Sequence, residues 1–82
     1  MIPYGKQDVT QADINAVVEV LQSDFLTQGP QIQKFEKSVS KYCNAKHAIA
    51  ANSATSALHL ACLSLGLKDG DWLWTSSITF VA

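Results

Sequence analysis

Hydrophobic residues recur at helical spacing in the first part of the chain. After Thr10, which can cap a helix with Asp13 as the partner acid three residues later, apolar residues follow at positions 14, 17, 18 and 21. This i, i+3, i+4, i+7 spacing predicts an amphipathic helix with one apolar stripe. Ser23 and Asp24 end the pattern. The segment 24–30 has no periodicity and contains Gly-Pro, which indicates a connecting loop.

A second amphipathic helix is predicted after this loop. Pro30 suits its first turn, where the missing N–H costs nothing. Asn44 is a suitable left-handed terminator. Lysines 34, 37 and 41 line the polar face, and the predicted buried face consists of Ile32, Phe35, Val39, Tyr42 and Cys43.

The pattern of apolar and polar residues changes in the second half of the chain. Residues 47–51 form a short apolar run that predicts a buried strand, although periodicity alone leaves a helix open. Residues 54–65 predict a helix that is apolar almost all round and ends at Gly66. A turn at 68–71 and a second strand at 72–75 follow. Strand, helix and strand at this spacing predict a parallel βαβ unit, hence an α/β fold class.

Composition suggests that this unit does not stand alone. Of the 82 residues 48% are hydrophobic and only 16% are charged, against about 25% charged in an average soluble protein. A two-stranded parallel sheet also leaves both edges open. We therefore expect the chain to be the N-terminal part of a larger protein, with 1–46 as a helical segment and 47–82 as the truncated start of an α/β domain.

The charge pattern argues against several partners. Six lysines, no arginine and seven acids form no basic stripe, so nucleic acid is not expected. No apolar run approaches the ~18–20 residues that cross a bilayer, and the N-terminus lacks the features of a signal peptide, so we expect no membrane partner and a cytoplasmic protein. Cys43 and Cys62 are expected to be buried free thiols. Neither has ligand spacing with His47 or His59, so no metal site is predicted, and His59 is interpreted as a core histidine.

A cluster of small polar residues precedes the apolar helix. Residues 52–58 read Asn-Ser-Ala-Thr-Ser-Ala-Leu and lie between a predicted strand and a helix N-terminus. The first turn of a helix offers unpaired N–H groups and the positive end of the helix dipole, which bind phosphates. The alternative is simple capping by Ser53 or Thr55 without a ligand. Three hydroxyl residues in four positions exceed what one cap requires, which favours a ligand.

Several motifs occur in an order that resembles the opening of the DegT/DnrJ/StrS sugar aminotransferases. They are Pro3-Tyr4-Gly5, the run from Asp24 to Pro30, Phe35-Glu36, Asn52 to Ala61, Gly70-Asp71 and Thr79 to Ala82. The resemblance spans essentially the whole chain. Leu-Thr-Gln-Gly and Asn-Ser-Ala-Thr-Ser-Ala-Leu most resemble the branch that acts on a UDP-linked 4-keto-6-deoxy-N-acetylhexosamine in pseudaminic acid biosynthesis.

This resemblance implies a fold-type-I enzyme that uses pyridoxal 5'-phosphate and transfers an amino group from glutamate to a nucleotide-linked keto sugar, as a homodimer. It implies that the cofactor is bound by Ala54, Thr55, Ser56 and Phe80, the last against the pyridine ring. It implies that the sugar nucleotide is bound by Tyr4, Asp24, Phe25, Leu26 and Thr27. Phe80 could equally be a core aromatic residue.

The family's Schiff-base lysine lies downstream of Ala82, so no catalytic residue is expected in this chain, and the chain alone should be inactive. Its own six lysines are interpreted as solvated surface. Two alternatives stay open: a pyridoxal-phosphate-dependent sugar dehydratase of the same family, and a non-catalytic interaction module.

Overall fold

A computed structural model describes residues 1–82 and contains three helices. They are α1 (Gln11–Leu21), α2 (Pro30–Tyr42) and α3 (Ala54–Ser64). The chain divides into two units, Met1–Ala48 and Ile49–Ala82. The first unit holds α1 and α2, and the second holds α3 with the irregular segments on either side of it.

The start of α1 is a capping box, as the spacing of Thr10 and Asp13 predicts. The Asp13 N–H donates to Thr10 Oγ1 at 3.3 Å, and the Thr10 N–H donates to Asp13 Oδ2 at 2.8 Å. The Thr10 hydroxyl donates to the same carboxylate oxygen at 2.9 Å. Two backbone donors that a helix start leaves unpaired are thereby satisfied.

Both α2 and α3 end in Schellman motifs, at the residues that the sequence indicates. Asn44 has a φ of +51° and Gly66 a φ of +72°, both in the left-handed region. After α3 the Leu67 N–H donates to Cys62 O at 3.2 Å and the Gly66 N–H to Leu63 O at 3.0 Å. Equivalent bonds at Asn44 and Ala45 close α2. These bonds satisfy the last helix carbonyls.

The two predicted strands are absent from the structure, and with them the βαβ unit. Residues 47–51 and 72–75 have no regular secondary structure. A strand is held by ladder hydrogen bonds to a neighbouring strand, and the structure contains three helices and no strand. Trp72 and Trp74 are consequently 90% and 94% exposed. The turn between α3 and this segment is formed as predicted, because Asp71 N–H donates to Lys68 O at 3.1 Å.

The predicted buried faces are not covered. No residue of the chain is buried, and the accessible surface is 8522 Å², whereas a folded protein of this mass exposes about 4,800 Å². The apolar stripe of α1 is exposed, and so are Cys43 and His59, which the sequence assigned to the interior. Cys62 is half-buried, and both thiols are free. The apolar faces of the helices therefore remain largely exposed. No helix has the length and hydropathy needed to span a bilayer.

Candidate cofactor site at the start of α3

The first turn of α3 is capped by a serine. Ser53 has extended backbone angles, and its Oγ accepts the Ser56 N–H at 3.1 Å. The Ser53 hydroxyl donates to Ser56 Oγ at 3.0 Å. Of the two capping residues that the sequence leaves open, Ser53 is the one that caps. Since the Ser56 oxygen accepts this bond, its own hydroxyl hydrogen remains free to donate.

The cap leaves a defined set of donors unpaired. The first N–H groups of a helix have no partner within it. The Ser56 N–H is taken by the cap, and the Ala57 N–H donates to Ser53 O at 3.0 Å. This leaves the N–H groups of Ala54 and Thr55, together with the Thr55 hydroxyl, at the positive end of the α3 dipole. Such a group of donors suits a phosphate.

Two of the predicted cofactor residues line one cleft in the second unit. Thr55, from the first turn of α3, and Phe80, from the C-terminal segment, border a space of about 500 Å³. Ala54 and Ser56 belong to the same helix turn as Thr55. The cleft thus joins a turn that offers phosphate donors to an aromatic ring, which is the combination that a phosphorylated aromatic cofactor needs.

The cleft also contains residues that the sequence analysis did not assign to a site. His59 and Cys62 line it beside Thr55. Their positions relative to Thr55 are i+4 and i+7, which places all three on one face of α3. This spacing could have indicated that His59 and Cys62 lie beside Thr55 at the candidate site. The apolar neighbours of His59 in the sequence instead favoured its interpretation as a core residue.

The predicted sugar-nucleotide residues lie in the first unit. Tyr4 is fully exposed in an N-terminal segment without regular structure. Asp24, Phe25, Leu26 and Thr27 form the loop between α1 and α2. Phe25 and Leu26 are 61% and 62% exposed. The predicted cofactor residues therefore belong to one unit and the predicted sugar-nucleotide residues to the other.

The loop between α1 and α2 is closed by two local contacts. The Ser23 hydroxyl donates to Val20 O at 2.6 Å, and the Phe25 N–H approaches Ser23 Oγ at 3.4 Å. At the other end Gly29 lies so close to Phe25 that a Cβ on Gly29 would be 2.9 Å from Phe25 Cβ. The sequence identified this segment as a loop but gave no sign of that contact.

The remaining polar residues have structural or surface roles. The Lys68 N–H donates to Asp71 Oδ2 at 2.7 Å, and Gly70 has a φ of +91°, which supports the turn interpretation of this segment. Lys34, Lys37 and Lys41 line an open face of α2. No group of histidine, cysteine and acidic residues in the chain is arranged to hold a metal ion.

Sequence comparison gives the class of protein to which the chain belongs. A profile of the DegT/DnrJ/EryC1/StrS aminotransferase family matches residues 7–82. The chain belongs to this family.

Curated relatives carry related names. Over 82 residues the chain is 44% identical to a Campylobacter jejuni protein (serotype O:23/36, strain 81-176) named UDP-4-amino-4,6-dideoxy-N-acetyl-beta-L-altrosamine transaminase. Over 79 residues it is 42% identical to the Bacillus subtilis (strain 168) spore coat polysaccharide biosynthesis protein SpsC. Over 81 residues it is 37% identical to a Shewanella sediminis (strain HAW-EB3) UDP-4-amino-4-deoxy-L-arabinose--oxoglutarate aminotransferase.

These matches cover 96–100% of the chain but only 20–22% of each relative. The chain thus spans about a fifth of the length of the curated relatives it matches. No solved structure gives a significant match.

Proposed function

We propose that the complete protein is a pyridoxal-phosphate-dependent aminotransferase acting on a nucleotide-linked 4-keto-6-deoxy sugar, in the synthesis of a surface polysaccharide or flagellar glycan. The observation that carries this proposal is the cleft lined by Thr55 and Phe80, in a chain that belongs to a sugar aminotransferase family. When bound, pyridoxal phosphate supplies an electron sink and a carrier for the amino group.

The residues at the start of α3 fit the phosphate of this cofactor. The N–H groups of Ala54 and Thr55 and the hydroxyls of Thr55 and Ser56 are donors not used within the chain, and the helix dipole favours an anion at the same point. Alanine at position 54 leaves the backbone open to close approach. Phe80, 77% exposed on the other side of the cleft, offers a flat apolar surface for the pyridine ring.

The net reaction that we propose exchanges an oxygen and an amino group between two carbons. The keto carbon of the sugar loses its oxygen and gains an amino group and a hydrogen. The α-carbon of glutamate makes the reverse exchange and leaves as 2-oxoglutarate. Tyr4 and the loop 24–27 are the residues we assign to the nucleotide sugar. This chain supplies binding groups, whereas the lysine that carries the cofactor lies after Ala82.

In the complete domain we propose that residues 47–51 and 72–75 pair as parallel strands on either side of α3. The remaining strands of a large-domain sheet would provide the neighbours that a strand ladder requires. Additional elements and a second subunit of a homodimer would cover the apolar faces of the three helices. We place the enzyme in the cytoplasm, where nucleotide sugars are the substrates of biosynthesis.

The direct test is amino transfer by the complete protein loaded with pyridoxal phosphate. UDP-4-amino-4,6-dideoxy-N-acetyl-β-L-altrosamine and 2-oxoglutarate are supplied, and glutamate and the keto sugar are measured. We expect glutamate to form in equal amount to the keto sugar. A control with the cofactor omitted after dialysis should lose the activity.

Other results would change the assignment. Release of water from a nucleotide sugar without transfer of nitrogen would identify the dehydratase alternative. A complete protein that binds no pyridoxal phosphate and transfers no amino group would refute the proposed function and leave the interaction module as the better explanation.

A further inference from the structure

We infer that Gly29 is a positioning residue for the sugar nucleotide: the absence of its side chain lets the loop tip, Leu26 to Gln28, close at one fixed place. This inference rests on the proposed function, since it concerns the same loop. It assigns a role to a residue outside the predicted set of ligand contacts.

The closing contact leaves no room for a side chain. A Cβ on Gly29 would lie 2.9 Å from Phe25 Cβ and 3.2 Å from Phe25 O. Carbon atoms that are not bonded prefer about 3.5–4.0 Å. Both atoms belong to the Phe25 backbone or to its first side-chain carbon, so no rotamer change can relieve the clash. An added methyl group therefore requires a movement of the backbone.

The backbone of Gly29, at the start of α2, cannot easily move away from Phe25. Gly29 precedes Pro30, the first residue of α2, whose ring fixes its own φ and restricts the residue before it to extended conformations. Gly29 has a φ of −150° and a ψ of 177°, in the extended region that any residue adopts. Its need for glycine is thus the close approach and not the backbone angles.

The other side of the contact is tied to α1, but more weakly. Ser23 holds the Phe25 N–H through a long 3.4 Å bond, whereas its own bond to Val20 O is 2.6 Å. Phe25 also borders a crevice of about 100 Å³ together with Val20 and Pro30, which leaves it space to shift. A side chain at position 29 would therefore displace Phe25 and the three residues that follow it.

The displaced residues include those that we assign to the sugar nucleotide. The close approach of Gly29 to Phe25 determines the positions of Leu26 and Thr27 relative to the end of α1 and the start of α2. A misplacement of about 1 Å is enough to change the productive geometry of a site. We expect a loss in the binding of the nucleotide sugar without any loss in the binding of pyridoxal phosphate, because the cofactor residues belong to the other unit.

The test uses the complete enzyme and the variants Gly29→Ala and Gly29→Ser. With UDP-4-amino-4,6-dideoxy-N-acetyl-β-L-altrosamine and 2-oxoglutarate as substrates, both variants should raise the KM for the sugar nucleotide on the order of tenfold. The half-reaction with glutamate and the cofactor absorption spectrum should be unchanged. Gly29 is the N-cap residue of α2, and serine is a better N-cap than glycine whereas alanine is a poorer one. An equal rise in KM for both variants would therefore be due to the steric clash and not to a change in capping.

A matched control separates positioning from general destabilisation. Lys37→Gly places a poor helix former on the open face of α2 and lowers the melting temperature without touching the loop. Its KM should stay at the wild-type value. If the glycine variants keep a normal KM in an enzyme that is otherwise active, the inference is wrong and the proposed function stands. If the wild-type protein binds neither cofactor nor sugar nucleotide, both are wrong.

Discussion

Thr55 is the residue on which the proposed phosphate site depends most. Its N–H and its hydroxyl are both unpaired in the chain, and its side chain lines the cleft that Phe80 closes. A hydrogen bond to a charged group contributes about 1.5–3 kcal/mol. We expect Thr55→Val, which keeps the shape of the side chain, to raise the Kd of the complete protein for pyridoxal phosphate by roughly ten- to a hundredfold.

The control for Thr55 lies on the same helix. Ser64→Ala removes a hydroxyl that donates to Ala61 O at the opposite end of α3. This variant should keep the cofactor Kd, measured by absorbance or fluorescence titration. An unchanged Kd in Thr55→Val would remove this hydroxyl from the cofactor site.

Asp13 shows how a single carboxylate links pH to the stability of α1. The N–H of Thr10, and to a lesser degree its hydroxyl, hold the pKa of Asp13 below its ordinary value of 3.8. The ionised carboxylate therefore stabilises the helix at pH values above 3.8, and this contribution is lost as the pH falls through the lower folded-state pKa. The pKa is measured by NMR titration of the Asp13 carboxyl carbon.

The variant Thr10→Ala checks this cause. It removes the hydroxyl and leaves the backbone N–H, so the pKa of Asp13 should rise part of the way toward its ordinary value. A wild-type pKa at or above 3.8 would mean that the capping box is not formed in solution.

At the scale of elements, local signals in the sequence predicted the helices and turns well. Thr10 with Asp13, Pro30, Asn44 and Gly66 each act within a few residues, and each takes the role expected from its chemistry. These devices operate without tertiary partners because their hydrogen bonds are local. The close approach of Gly29 to Phe25 could not be predicted in this way. A glycine before a proline indicates a loop, but such a loop can adopt many conformations, and the sequence does not specify which contact it makes.

Local signals in the sequence could not determine whether the two predicted strands form. Residues 47–51 and 72–75 have the composition of buried strands, but a strand forms only where a neighbour completes its ladder. The assignment of Cys43 and His59 to the interior failed for the same reason, because burial needs a covering element. Candidate site residues on one helix turn were predictable, whereas the presence of His59 and Cys62 in the cleft depended on how the C-terminal segment lies.

The tryptophans report directly on the second strand. Trp72 and Trp74 are 90% and 94% exposed in the 82-residue chain. Their fluorescence should therefore have the red-shifted maximum of a solvated indole, and an added quencher such as acrylamide should reach both. In the complete protein we expect a blue shift, because residues 72–75 would then lie within the proposed sheet. Equal spectra for the two proteins would contradict the proposed strand.

At the scale of the whole molecule, the chain combines a candidate phosphate-binding turn with a large exposed apolar surface. Every large apolar residue is partly or fully exposed, and the accessible area is well above that of a folded protein of equal mass. The family relation explains both features if the chain forms one portion of a larger enzyme. The cleft of the second unit would then be one wall of a cofactor site whose other walls come from outside these residues.

We propose that the residues at the start of α3 hold the phosphate of a cofactor whose covalent attachment lies elsewhere. The measurement that tests it is reduction of the complete, pyridoxal-phosphate-loaded protein with borohydride, followed by peptide mapping of the pyridoxyl label. We predict one label on a lysine after Ala82 and none on Lys6, Lys34, Lys37, Lys41, Lys46 or Lys68. A label on one of these six lysines, or a protein that binds no cofactor, would contradict the account.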